Sequence, residues 1–181
     1  MKTILHLLLT VSAVCLASCG TVAPVNSKTG GSAAAVAGGR SFNRVLVKDF
    51  RNAADPGNPA ANAAGQILAN KIQSEILRLK PAANVARSGD ADAGTVVIGG
   101  EITRFTEGNA ALRLFVGMGA GSSYFDANIR VSDSTGKVIT TLVADKNSWG
   151  LGGSLAAGQT VETFMTEAAR KTAAEVAPLL K

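Results

Sequence analysis

Few residues in this chain can do chemistry, and the most reactive of them sit together at the amino terminus. Both cysteines, Cys15 and Cys19, and the single histidine, His6, precede Gly20. A thiol closing the run "LASC" can be half a disulfide, a nucleophile, a metal ligand or an attachment point. Beyond Gly20 there is neither thiol nor imidazole, so that part of the chain can run neither Ser-His-Asp nor Cys-His catalysis and can build no His/Cys zinc site. Carboxylates remain. Asp49, Glu101 and Asp126 are the candidates for acid-pair hydrolysis, which needs two of them converging in a cleft. Asp90 and Asp92 in "GDADAG" lack the third donor and distal Glu of a calcium loop, and Thr95 stands where a phosphate loop needs lysine. A surface turn accounts for both aspartates. "GMGAGSS" spaces Gly117, Gly119 and Gly121 alternately, but strand-like sequence follows where a dinucleotide fingerprint requires a helix. No catalytic residue, cofactor or metal is therefore expected. Gly117, Gly119 and Gly121 would share one strand face and leave a strip for close backbone approach, or form a hairpin tip. With Trp149 in "WGLGG" they are the candidate partner contacts.

What surrounds Cys19 decides among its roles. Lys2 supplies a positive start, and Ile4–Leu16 is an almost unbroken apolar run without an acidic residue. That is too short to span a membrane but suits the core of a secretory signal. Leu16-Ala17-Ser18-Cys19 resembles the lipobox of bacterial lipoproteins: aliphatic, small, small, cysteine. The resemblance implies that residues 1–18 are removed and that Cys19 carries diacylglycerol and an acylated amine. An ordinary signal cut nearby would make this spacing a coincidence. Gly20 rather than aspartate after the cysteine implies outer-membrane residence facing the periplasm, in a Gram-negative source. Cleavage removes Cys15 and His6, and lipid occupies Cys19, so no disulfide can form even in an oxidising envelope.

The remaining sequence divides in two. Residues 19–39, "CGTVAPVNSKTGGSAAAVAGG", are small and polar without periodicity, and read as the lipidated cysteine and a flexible tether with an end-to-end distance of about 25 Å. Residues 40–181 have enough apolar periodicity for one domain. "RVLVKDF" (Arg44–Phe50) is a first strand. Asn58-Pro59 is an N-cap followed by a first-turn proline, opening a helix to Lys80 with Ala64, Leu68, Ile72, Ile76 and Leu79 as its stripe. A short strand follows at Asn84–Arg87, then "TVVIGGEITRF" with Val96, Ile98 and Ile102 on one side. "ALRLFVGM" (Ala111–Met118) and "SYFDANIRVSD" (Ser123–Asp133) are further strands. The turn "STGK" leads into "VITTLVAD". A second helix at Thr160–Val176 buries Val161, Met165, Ala168, Thr172 and Val176. The order predicts an α+β fold: a single antiparallel or mixed sheet with two helices packed on one face.

The motifs "VLVKDF", "ANKIQSEIL", "VVIGGEI", "GMGAGSSYFDANIRVSDSTGKVI" and "NSWGLGG" together resemble the bacterial lipoprotein family known as domain of unknown function 4410, over roughly 44–176. The resemblance implies an envelope lipoprotein without an established reaction. More distantly the layout is similar to α+β modules of the curli-secretion channel lipoprotein, the lipoprotein activators of peptidoglycan synthases and the amino-terminal domain of the Tol-system translocation protein. These imply protein–protein assembly. The expected function is a lipid-anchored, non-catalytic binding or assembly module in the periplasm. It would be joined to the membrane through Cys19 and would have an envelope protein as partner. The alternatives are a secretion-pore subunit inserting Ala111–Val131 as a hairpin, and a carboxylate-dependent hydrolase. The net charge of +5 is spread without a basic block, so nucleic acid is not an expected partner.

Overall fold

The computed structural model describes residues 37–109, 121, 123–145 and 160–181, together with Ala33. The elements in chain order are β1 (Arg44–Val47), β2 (Arg51–Asn52), α1 (Pro59–Leu79), β3 (Asn84–Ala86), β4 (Thr95–Thr106), β5 (Tyr124–Asp133), β6 (Val138–Ala144) and α2 (Val161–Val176), closed by a 3-10 turn at Ala177–Leu179. The sheet order is β3-β1-β4-β5-β6, with β2 also pairing β4. β1 lies parallel to β3 and β4, whereas β4, β5 and β6 run antiparallel. The sheet is thus mixed, in an α+β fold.

Both helices cover one sheet face. Val45, Val47, Val96, Ile98, Ile102, Phe125, Ala127, Ile129 and Val131 alternate onto that face and are buried, as the period-2 geometry of strands requires. α1 packs over β1–β4, α2 over β5 and β6, and the helices pack on each other. Asn58 caps α1 by accepting from the amides of Ala60 and Ala61, and Thr160 caps α2 by accepting from that of Thr163. The predicted α2 stripe is buried throughout. In α1 the stripe stops at Ile76, since Leu79 lies in the terminal turn and is 38% exposed.

The first strand departs from expectation. Val47 pairs with Ile98 but Arg51 pairs with Glu101, so this side of the ladder carries one residue more than β4. The extra residue is a bulge that breaks Arg44–Phe50 into β1 and a separate β2 and reverses the alternation. Phe50 turns inward, while Arg51 stays on the face away from the helices. Two glycines make room for Phe50. A Cβ at Gly65 would lie 2.1 Å from the Phe50 carbonyl oxygen, and one at Gly100 would lie 3.1 Å from its ring. Arg87, just past β3, reaches the gap opened by the bulge. Its guanidinium donates to the Val47 carbonyl, the Asp49 carboxylate and the Asn70 side chain.

The domain is closed on itself near its beginning. The Phe42 amide donates to the Leu179 carbonyl at 2.7 Å, and the Lys181 amide donates to the Phe42 carbonyl at 3.0 Å. Ala33 and Ala37, at the far end of the segment read as a tether, are buried in the core. Arg40 pairs with Asp133 at 3.3 Å.

Asp133 also organises the β5–β6 turn. Its Oδ1 accepts from the Thr135 hydroxyl at 2.6 Å and from the amides of Thr135 and Lys137. The Thr135 hydrogen bond, with those amides and Arg40, holds the Asp133 carboxyl below the ordinary aspartate range. A carboxylate depressed by folding stabilises the native state above its unfolded pKa, and the contribution disappears as pH falls through the lower, native value. Asp133→Asn is therefore expected to lower the melting temperature at neutral pH and to leave a shallower loss of stability below about pH 4. Thermal melts of both proteins across that range check this.

Candidate ligand groove on the open sheet face

The sheet face away from the helices presents every second strand residue. From β4 come Val97, Gly99 and Glu101, from β5 Asn128, Arg130 and Ser132, and from β6 Thr141 and Val143. With Arg51 and the backbone at Gly100 they line a groove of about 610 Å³, within the range of small-molecule sites, about 300–1,000 Å³. The register sets the neighbours in rows across the strands. Gly99 pairs with Arg130 and Arg130 with Thr141, while Glu101 pairs with Asn128 and Asn128 with Val143.

Glu101 is ion-paired with Arg51, so its charge is neutralised within the groove. Arg130 is exposed and, among the described residues, makes no ion pair. Lys48 precedes the bulge. Its amide donates to the Ile98 carbonyl at 2.8 Å, and its Cβ would lie 3.6 Å from a Cβ at Gly99. Lys48 and Arg130 thus flank Gly99 on the same face. Ser132 is 9% exposed and its hydroxyl has no hydrogen-bond partner among the described residues.

The three carboxylates singled out in the sequence do not meet here. Of them the groove lining contains Glu101 alone. Asp49 is held by Arg87, and Asp126 stands opposite Arg104 in the β4–β5 register. Among the described residues no three His, Cys, Asp or Glu side chains form a group able to hold a metal ion. Asp92 belongs to a turn, as its sequence suggests. It accepts from the Thr95 hydroxyl at 2.7 Å and from the Gly94 amide. The Thr95 bond is the main reason its carboxyl sits below the usual range.

Of the predicted contact residues, Cys19, Gly117, Gly119 and Trp149 lie outside the described residues, as does the strand expected at 111–118. Gly121 is described and sits at a pinch. The Asn109 amide donates to its carbonyl at 2.8 Å, and the Ser123 hydroxyl donates to the Glu107 carbonyl at 2.6 Å. Gly108 and Gly121 both have φ near +75° (79° and 70°), and a Cβ at Gly108 would lie 2.6 Å from the Gly121 carbonyl oxygen. Glu107–Asn109 and the described residues Gly121 and Ser123 are therefore clamped together at the end of the β4–β5 pair. Sequence reading missed the groove. Its local signal is the outward series Asn128, Arg130, Ser132 within a strand already recognised.

The architecture is that of an α+β domain with both described helices on one sheet face and, among the described residues, no helix on the other. The chain belongs to the family described as domain of unknown function (DUF4410), whose model matches residues 40–152, more than half of its length. No curated protein matches it. Among solved structures it is similar to a point variant of the PelC dodecamer from Paraburkholderia phytofirmans, with a TM-score of 0.47 and 15% identity over 77% of this chain and 88% of that one. A second PelC dodecamer structure from the same organism gives a TM-score of 0.44 and 16% identity over 77% and 90%. No helix among the described residues is long and apolar enough to cross a membrane.

Proposed function

We propose that this protein is a cell-envelope lipoprotein, anchored through Cys19, whose domain works by binding or assembly rather than by catalysis. The dispersal of the carboxylates carries this reading. Acid-pair hydrolysis needs two acids on one substrate, whereas Asp49, Glu101 and Asp126 are turned to separate arginines or register partners. The pore alternative requires Ala111–Val131 as a membrane hairpin. Its second half is the middle of the sheet, with Phe125, Ala127, Ile129 and Val131 in the core, so insertion would dismantle the domain.

The test is comparative capture from native envelopes with mass spectrometry. If the glycine strip is where a partner's backbone approaches, Gly119→Val should lower the melting temperature or eliminate a captured protein, although valine favours extended backbone. Gly30→Val should do neither. Identical melts and identical captured sets for both variants would remove the strip from the proposal. Glu101→Gln should leave the captured set unchanged.

A further inference from the structure

We infer that the groove on the open sheet face is a binding site for a phosphate-class dianion, seated over Gly99 between Lys48 and Arg130. Adjacent strands are about 4.8 Å apart, so the backbones of Lys48 and Arg130 stand roughly 10 Å from each other with β4 between them. Both side chains are long enough to converge above β4. At that point β4 offers Gly99, which has no side chain to fill the space. The absence of a Cβ there is not a packing requirement. A Cβ built on Gly99 meets nothing closer than Lys48 Cβ at 3.6 Å, and its backbone is not strained. This contrasts with Gly100, where a Cβ would collide with the Asn128 carbonyl oxygen at 2.0 Å.

Ser132 is the second, independent pointer. It lies two residues along β5 from Arg130, on the same face. Its hydroxyl lines the groove, is 9% exposed and has no protein partner among the described residues. A buried hydroxyl left without a partner is costly. An oxyanion would accept a hydrogen bond from it. Arg130 supplies a planar donor pair suited to phosphate, and Lys48 a point charge. Glu101 opposes an anion, but Arg51 is paired with it in the neighbouring row. Lys48, Arg51 and Arg130 against Glu101 leave two positive charges in excess, which favours a dianion over a monoanion. This inference does not depend on the glycine strip or on the lipid, so it can fail while the proposed function stands.

The experiment is a titration of the full chain in detergent with inorganic phosphate at constant ionic strength and about pH 8, where phosphate is a dianion. It is followed by the backbone amide shifts. Saturable shifts centred on Gly99, Arg130 and Ser132 are expected. Arg130→Gln and Lys48→Gln should each weaken binding at least tenfold, while Arg78→Gln on α1 should not. Gly99→Val should melt like the parent yet lose binding, because it fills the seat without touching the core. Glycerophosphoglycerol, a monoanionic headgroup diester, should bind more weakly than phosphate. If it binds as tightly or more tightly, the inference of a dianion site is overturned. Absence of a saturable response to both probes, or unchanged affinity in Arg130→Gln and Lys48→Gln, overturns the inference.

Discussion

Cys19→Ser is expected to eliminate the mature, membrane-bound form of the protein completely. The lipid attachment proposed for Cys19 needs a thiol, because the hydroxyl of serine is not a substrate for the same transfer, and cleavage follows that transfer. The size of the effect comes from the anchor. Each buried methylene contributes about 0.8 kcal/mol, and a single acyl chain gives only marginal, reversible attachment. Diacylglycerol with an amide-linked chain exceeds that threshold by a wide margin. The apolar run Ile4–Leu16 is no substitute, being short of the ~20 residues a spanning helix requires. If the proposed anchor is right, the membrane-bound pool falls from nearly all of the protein to none, with a precursor retaining residues 1–18 accumulating. Intact-mass measurement of the wild-type protein and fractionation of both forms decide this. An unlipidated amino terminus in the wild type, or its residence with inner-membrane markers, would contradict the assignment.

The second large effect is expected in the core, at Gly100→Ala. Gly100 has φ +154°, a conformation L side chains rarely adopt, and its Cβ would stand 2.0 Å from the Asn128 carbonyl oxygen. Strained backbone of this kind costs about 1–3 kcal/mol, and overpacking a filled site costs about 1–3 kcal/mol more. Together, at about 2–6 kcal/mol, they reach the lower end of the stability of a domain, about 5–15 kcal/mol. Asn128 belongs to the central β4–β5 ladder, so relief would require parting the sheet. Gly65→Ala tests the same packing from the helix side. Alanine should improve an exposed helix by about 1 kcal/mol, but here it meets the Phe50 carbonyl oxygen at 2.1 Å, and the collision prevails. Both variants should melt well below the parent or fail to accumulate. Gly99→Ala, one residue from Gly100 and free of any clash, should melt like the parent. Equal melting of all three would refute the account of how Phe50 is seated.

These two glycines show what the sequence disclosed and what it withheld. The helices were legible because Asn58-Pro59 and Thr160 signal their starts and the 3.6-residue stripes run without interruption. β5 and β6 were legible because their alternation is clean and "STGK" separates them. The bulge was not, since "RVLVKDFRN" reads as a single strand until the register against β4 shows an extra residue. In an unbulged strand of these same residues Phe50 would face solvent and Arg51 the core. The parallel position of β1 between β3 and β4 was likewise hidden, because pairing between distant segments leaves no local pattern. The groove was hidden for the same reason. Arg51, Glu101, Arg130 and Thr141 come from four strands, and only the register makes them neighbours. The lipid attachment proposed for Cys19 is the reverse case: four consecutive residues carry the resemblance, and the proposal rests on no tertiary contact.

The bonds that Phe42 makes to Leu179 and Lys181 have a practical consequence for handling the molecule. They bring Leu179 and Lys181 back beside Phe42, just ahead of β1. A purification handle or fluorescent reporter appended after Lys181 emerges there, where the segment carrying the proposed anchor joins the domain. Such a fusion would crowd that junction. It would also load the bridge at Phe42, making the carboxyl end the wrong place for a bulky label.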